Sequence, residues 1–423
     1  MTGPPVPSRD VRASDEVEYA RGGWLEILRN RRFLLLTASG TLAGAGYAVY
    51  SVAVLFLAYG ITGNLLVAGV VLFIEYGVYS ATFLVAPLVD RARNKRTILL
   101  VAFPIQMIAA GALAIGLGEG VLSVALLLGL VFVLSVAWDF VWAVFMVGPR
   151  IVLPKRQLFL GEGLASIVSA GTTVGGYAGG GALLYFVGPY GGASAYVVLL
   201  LAAFAFAIPL SLPVEHPPAT SILATFREGW DAFRGSAGRA VRTLAAFDAI
   251  VAFFAAIPPL LITAIAYQRF PHPASAYALL VTGYALGGAL AGIAAGHLNP
   301  RRSVGLVLVV ATFSAAACVL ALLVPTALIV PAMALLGALG ATLAVRYAAK
   351  YAWVQGTFPP EMLARMTANV YLPAGFAGTV AVLLVGSLST TVSLGWLIAL
   401  TGTGLGAGGL LLLVHPVLRR LAF

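Results

Sequence analysis

The sequence predicts an all-α membrane protein, with twelve transmembrane helices in two pseudo-symmetric six-helix bundles. Three observations predict it. The first is composition: of 423 residues, 61% are hydrophobic and only 9% charged, where an ordinary soluble domain carries roughly 25% charge. Lipid accepts that much apolar side chain and a soluble core does not. The second is run length. The apolar residues form long continuous stretches, unlike the short alternating segments of a membrane barrel. The third is the placement of the basic residues, which alternates from one connection to the next.

A helix needs about 20 apolar residues to cross a bilayer. The runs 33–59, 64–88, 97–117, 121–148, 157–184, 190–212, 243–266, 274–297, 303–324, 327–351, 368–388 and 392–416 meet that length. With the N-terminus inside, the tails and even-numbered connections are cytoplasmic. The N-terminal tail holds Arg9, Arg12, Arg21, Arg29, Arg31 and Arg32. The second connection holds Arg91, Arg93, Lys95 and Arg96, and the fourth Arg150, Lys155 and Arg156. The sixth holds Arg227, Arg234, Arg239 and Arg242, and the eighth Arg301 and Arg302. Arg346, Lys350 and Arg365 belong to the tenth, and Arg419 and Arg420 to the C-terminal tail. Of the 25 Lys and Arg, only Arg269 falls elsewhere. This positive-inside pattern predicts an even span count, both termini cytoplasmic and a multi-pass protein of the plasma membrane. It also accounts for the net charge of +10 without nucleic acid as a partner. Membrane lipids with anionic headgroups are the expected contact. Residues 1–32 lack the short apolar core and cleavage site of a signal peptide, so the first span is expected to act as its own insertion signal.

The domain reading follows. Residues 1–32 form a cytoplasmic tail, 33–212 the first six-helix bundle, 213–241 a cytoplasmic linker, 242–416 the second bundle and 417–423 a short tail. In the linker, Ile222, Phe226, Trp230 and Phe233 share one helical face, which predicts an amphipathic helix on the inner membrane surface. The halves resemble each other. Aligning Leu88 with Leu298 gives an offset of 210, and aligning Pro154 with Pro360 gives 206. A near-constant offset suggests a repeated six-span unit.

Two motifs carry a family resemblance. The second connection reads APLVDRARNKR, in which Leu88, Asp90, Arg91 and Lys95 match the pattern G-x-L-A-D-R-x-G-R-K, with Ala86, Arg93 and Asn94 departing from it. The fifth span reads GTTVGGYAGG, in which Gly171, Gly175, Gly179 and Gly180 match G-x-x-x-G-P-x-x-G-G and Gly176 stands for the proline. On these residues the chain resembles the major facilitator superfamily (MFS), and within it the drug and metabolite exporters that work as proton antiporters. The resemblance implies an MFS fold working by alternating access, with spans three, six, nine and twelve facing lipid. Spans one, four, seven and ten would line a cavity. Asp90, with Arg91 and Lys95, would form a conformational gate between the halves, and the helix-five glycines would let that span approach the other half. An arginine that proton antiporters carry in span four is absent between Val121 and Val147.

Ionisable residues inside a span are functional candidates. Glu75 lies near the middle of span two, and Asp139 sits about 10 residues, roughly 15 Å of rise, from the inner end of span four. Either could carry a proton from one side to the other. Asp248 in span seven and Arg346 and Lys350 in span ten are cavity or gate candidates, with snorkelling to the headgroups the plainer account of Lys350. Trp138, Phe140, Trp142 and Phe145 surround Asp139 in sequence and cannot all face one side. Pro104, Pro209, Pro258, Pro259, Pro331 and Pro373 are candidate hinges.

The expected function is therefore secondary transport, with proton-coupled efflux of a lipophilic or amphiphilic small molecule first. An importer or uniporter of a small polar metabolite stands second, and a non-transporting sensor or assembly factor third. The small-molecule substrate and protons or another coupling ion are the expected partners, and the protein is expected to be a monomer. No enzyme is expected: the four His lie far apart. No metal or cofactor is expected either. Cys318 is the single cysteine, and GTGLGAGG near residue 402 lies inside an apolar span, which no nucleotide loop does.

Overall fold

The computed structural model describes residues 26–154, 157–212, 238–295, 304–324, 328–357 and 360–415. Among them, fourteen helices carry the fold. In chain order they are α1 (Arg31–Thr62), α2 (Leu65–Ser80), α3 (Thr82–Arg91), α4 (Lys95–Gly118), α5 (Val124–Val152), α6 (Leu158–Phe186) and α7 (Pro189–Ala207). The second half holds α8 (Gly238–Ala255), α9 (Pro258–Arg269), α10 (Pro273–Ala295), α11 (Val304–Ala321), α12 (Ile329–Thr357), α13 (Pro360–Leu388) and α14 (Leu394–Val414). Two spans are broken helices. The second turns at Ala81 between α2 and α3, and the seventh turns at Ala256–Ile257 between α8 and α9.

All twelve expected spans are thus present. Ten stretches have the length and apolarity to cross a membrane; the other two spans are the broken second span and the glycine-rich α6. The break in the seventh span has a visible cause, because Pro258 and Pro259 occupy the first turn of α9 and cannot continue the hydrogen bonds of α8. By contrast, Pro104 and Pro373 sit inside unbroken helices and make no hinge here.

Capping sets the starts in the first half. Asn30, Asn64, Asn94 and Ser123 precede α1, α2, α4 and α5, and each side chain accepts from a backbone N–H of the first turn. Gly63, Gly120 and Gly188 adopt φ of 63°, 68° and 79°. They close the short turns at one end of the first bundle, a backbone state that costs glycine little.

The packing repeats between halves. In the first, α1 packs on α7 and α6, α4 on α7, and α2 on α5. In the second, α8 packs on α14 and α13, α11 on α14, and α10 on α12. Each pair maps onto its counterpart when the spans are renumbered by six. The halves meet along two seams, α2 with α13 and α6 with α10. Large apolar residues stand exposed on the four outer spans, such as Ile108 on α4, Val198 on α7, Leu306 on α11 and Trp396 on α14, as lipid contact requires.

The two ends differ in charge. At one, Arg32 Nε donates to Ser211 Oγ (3.1 Å) and Arg96 Nη2 to the Ile208 carbonyl (2.5 Å), joining the starts of α1 and α4 to the end of α7. At the other, Arg269 Nη1 donates to the Leu322 carbonyl (2.6 Å). The first is the basic end. The expected amphipathic linker helix, Lys155, Arg156, Arg227, Arg234, Arg301, Arg302, Arg419 and Arg420 lie outside the described residues.

Candidate functional site

A cavity of about 360 Å³ lies between the halves, near the middle of the spans. Its walls come from α1 (Tyr47, Ser51), α2 (Glu75, Tyr76, Tyr79), α5 (Ser135, Trp138, Asp139, Trp142) and α6 (Tyr177). Pro259 and Ile262 of α9 and Tyr277, Val281 and Tyr284 of α10 complete it. The lining spans are therefore one, two, four, five, seven and eight. This corrects the expected set of one, four, seven and ten: among the described residues the tenth span contributes none to the lining, while the seam spans two, five and eight do, because the cavity opens where the halves part.

The structure brings Glu75 and Asp139 into this one cavity. Glu75 is 8% exposed and Asp139 2%. Glu75 Oε1, Asp139 Oδ2 and Ser135 Oγ are buried and have no hydrogen-bond partner. No Lys, Arg or His is among the described residues of the walls. A carboxylate buried without a countercharge is costly, so each acid here calls for a proton or a cation.

The break at Ala81 places a third group. The Thr82 hydroxyl lies 2.6 Å from the Tyr79 carbonyl oxygen and 2.5 Å from Asp139 Oδ1. A hydroxyl has one proton to give. The hydroxyl donates to Asp139 Oδ1, with the Tyr79 carbonyl as a second acceptor of the same proton.

The four aromatics of α5 divide by face. Trp138 stacks on Tyr47 (centroids 4.5 Å apart, planes at 7°), with Trp142 next to it at 6.1 Å, and both tryptophans line the cavity. Phe140 points away, into an apolar groove between α4 and α5. Phe145 packs against α1 where Gly40 leaves room for its ring.

Toward the end opposite the basic loops, an aromatic plug closes the cavity. Phe56 of α1 stacks on Tyr267 of α9 and Tyr59 meets the same ring at a tilt of 38°, with centroids 4.6 and 4.4 Å apart. The Tyr267 hydroxyl donates to the Phe56 carbonyl at 2.9 Å. On the other side Tyr79, a wall residue one turn beyond Glu75, is 58% exposed. The cavity is therefore shut at one end and open toward the basic end.

Asp248, Arg346 and Lys350 are not headgroup residues. Asp248 is 0% exposed, Arg346 6% and Lys350 3%. Arg346 Nη2 donates to Asp248 Oδ1 and Lys350 Nζ to Oδ2, joining α8 to α12. Lys350 Nζ also lies 3.9 Å from the ring centroid of Tyr371 on α13. Of the two plain accounts of these residues, snorkelling or pairing near the headgroups, the structure shows pairing, in a buried triad. The position of Lys350 seven residues inside the end of α12 and the carboxylate on the facing helix explain why.

The helix-five glycines divide too. A Cβ on Gly176 would lie 2.8 Å from the Ala45 carbonyl and Ala48, and one on Gly180 would lie 2.9 Å from Val49 Cα. Both serve close approach to α1, in the same half. Gly171, Gly175 and Gly179 have nothing within 4 Å. The glycine that meets the other half is Gly181, against Ala278 of α10. The reading that the motif packs this span on the other half is corrected accordingly. Asp90, Arg91 and Lys95 sit where α3 ends and α4 begins, with Asp90 exposed and Lys95 buried.

Sequence reasoning did not single out Thr82 or the tyrosines. Tyr76 and Tyr79 are three apart beside Glu75, and Tyr277 and Tyr284 are seven apart on α10; that helical spacing was the available signal.

Twelve spans in two related bundles around a central cavity define a multi-pass membrane protein with the major facilitator fold. Among solved structures, the chain is similar to a point mutant of the nucleoside transporter NupG, with a TM-score of 0.73 and 11% identity, over 90% of this chain and 99% of that one. It is also similar to a bacterial homologue of the human lysosomal transporter Spinster, inward-facing and unoccupied, with a TM-score of 0.63 and 16% identity, over 92% and 96% of the two chains. No family model matches the sequence, and no curated protein matches it.

Proposed function

We propose that this protein is a secondary transporter working by alternating access, with Asp139 as its proton site and efflux as its direction. The observation that carries the reading is Asp139, a buried acid with no basic residue among the described walls of a cavity open to one side. Its Oδ1 accepts from Thr82 and its Oδ2 has no partner. A carboxyl that gains and loses a proton as access alternates couples a proton gradient to movement of the halves. The basic end is taken as cytoplasmic, so the structure is inward-open, with the Phe56–Tyr59–Tyr267 plug on the outside. The gate role of Asp90, Arg91 and Lys95 belongs to the same cycle. Loss of contacts at the plug and gain of contacts near Asp90 would mark the outward-open state.

The test is proteoliposome transport under an imposed pH gradient, wild type beside Asp139→Asn. The variant should fold and keep gradient-independent exchange while losing pH-driven flux. Equal pH-driven flux in both would remove Asp139 from the coupling. A second reading, import of a small polar metabolite, is favoured by the tyrosine hydroxyls of the walls, which supply polar contacts that the Asn-poor and Gln-poor spans did not promise. The direction of flux under a fixed gradient separates the two.

A further inference from the structure

We propose that the central cavity binds a monovalent organic cation with an aromatic body, its charge seated on Asp139. The proposal rests on the transporter reading above and adds the class of substrate. The first argument is charge. Two carboxyl residues line the cavity, and none of its described lining residues is a Lys, Arg or His. An anionic ligand would meet uncompensated acids in a space without a countercharge. A cation in the cavity meets the charge of Asp139, a wall residue that is 2% exposed and whose Oδ2 has no hydrogen-bond partner.

The second argument is the shape of the walls. Trp142 is three residues on from Asp139, on the same helical face, and Trp138 stacks on Tyr47 beside it. Indole and phenol faces attract a cation and cover flat apolar surface. The volume of about 360 Å³ falls in the range of roughly 300–1,000 Å³ that encloses small organic ligands. A divalent metal fits less well, since no group of three metal-ligating side chains occurs among the described residues.

The third argument is exclusivity. While Asp139 holds a proton it is neutral and offers a cation no charge. When a cation arrives, the proton leaves through the open side to water. Asp139 then becomes a carboxylate and accepts from Thr82. No covalent bond is made, and one positive charge replaces another. Proton and substrate therefore compete for one group, which is what exchange transport requires.

The experiment is calorimetric titration of purified protein in lipid nanodiscs at pH 8 with three probes: N-methylquinolinium, a permanent cation; quinoline, the same ring system without the charge; and 2-naphthoate, an anion. The cation should bind about tenfold or more tighter than quinoline, as expected when a fixed positive charge meets a carboxylate and aromatic faces. The anion should bind weakest. Asp139→Asn should abolish the preference of cation over neutral ring, and Asp139→Glu should restore most of it. Equal affinity for cation and neutral ring, a preference that survives Asp139→Asn, or no cation binding would overturn the proposal. The wild-type contrast needs no variant to fold. The transporter reading is tested apart, by labelling Ser51→Cys in a Cys318→Ser background. Labelling from the basic end together with no cation preference would sink the substrate class alone, and a cavity closed to label from both sides would sink the transporter reading.

Discussion

Replacing Asp248 with Asn removes the one anion between two buried cations. Arg346 and Lys350 each contact their own oxygen of that carboxylate. At about 4 Å and an effective dielectric near 20, each attraction is about 4 kcal/mol, so roughly 8 kcal/mol of gross attraction is lost. The desolvation of one carboxylate, several kcal/mol, is recovered. The net destabilisation is expected at about 3–5 kcal/mol, the range found when one partner of a buried pair is removed. Lys350→Met is the contrasting perturbation. It leaves a neutral Asp248–Arg346 pair, removes an ammonium that was itself expensive to bury, and places an apolar chain beside Tyr371. Its effect is expected below about 1.5 kcal/mol. The assay is reversible denaturant unfolding of the purified protein in micelles, followed by intrinsic fluorescence. An Asp248→Asn variant within about 1 kcal/mol of wild type, or one less affected than Lys350→Met, would refute the reasoning and return these charges to a wet, headgroup-like setting.

Other perturbations address other parts of the molecule. Tyr267→Phe deletes the hydroxyl that holds the Phe56 carbonyl across the halves; at about 1 kcal/mol, access from the plugged side should rise roughly fivefold, read by cysteine labelling at Ser51→Cys. Thr82→Val should depress pH-driven flux about as far as Asp139→Asn does, while Thr82→Ser, which keeps the hydroxyl, should stay near wild type. Gly176→Ala should destabilise, because its Cβ would fall 2.8 Å from the Ala45 carbonyl, whereas Gly175→Ala, with nothing within 4 Å, should unfold at the wild-type denaturant concentration. Gly287→Ala should loosen α10 from α12, since its Cβ would collide with the Gly337 backbone; crosslinking between those helices reads the effect.

The spans and their two ends were legible because lipid imposes them on the sequence directly. Every span must be apolar over a fixed length, and basic residues are kept at one end, so composition along the chain maps onto geometry. Glu75 and Asp139 were legible for the same reason: a carboxyl in an apolar run announces itself. Their convergence on one cavity was not, since span separation says nothing about which helix faces meet. The break at Ala81 has no proline to signal it; it emerges from Thr82 bonding sideways to Asp139 and back to Tyr79, a tertiary contact. The triad was misplaced because two cations near a helix end look the same whether they reach for headgroups or for a carboxylate 98 and 102 residues earlier. The glycines show a similar limit. Spacing of four predicts a shared face, and Gly176 and Gly180 share one, but the facing helix proved to be α1 instead of the other half.

The two halves share a backbone plan and divide the chemistry unequally. The fourth and tenth spans, α5 and α12, are 29 residues each, and the offset that aligns Pro154 with Pro360 carries Asp139 next to Arg346. One position thus bears an acid facing the cavity, and its counterpart's neighbour bears a base locked into a buried triad. In the triad the charges neutralise one another except for a single excess positive charge, and both oxygens of Asp248 are occupied. They offer no open site for a proton. In the first half the acids keep oxygens without a hydrogen-bond partner, and no base is among the described residues of their cavity. The proposed cycle therefore has a rigid partner and a reactive one: the triad holds α8 to α12 as a unit, and the first half carries the exchangeable charge. Neutralising Glu75 or Asp139 should change coupling with little loss of stability, while neutralising Asp248 should change stability first. Measuring flux and unfolding on the same three variants separates the roles. Coupling lost in Asp248→Asn at unchanged stability would show that the division drawn between the halves is wrong.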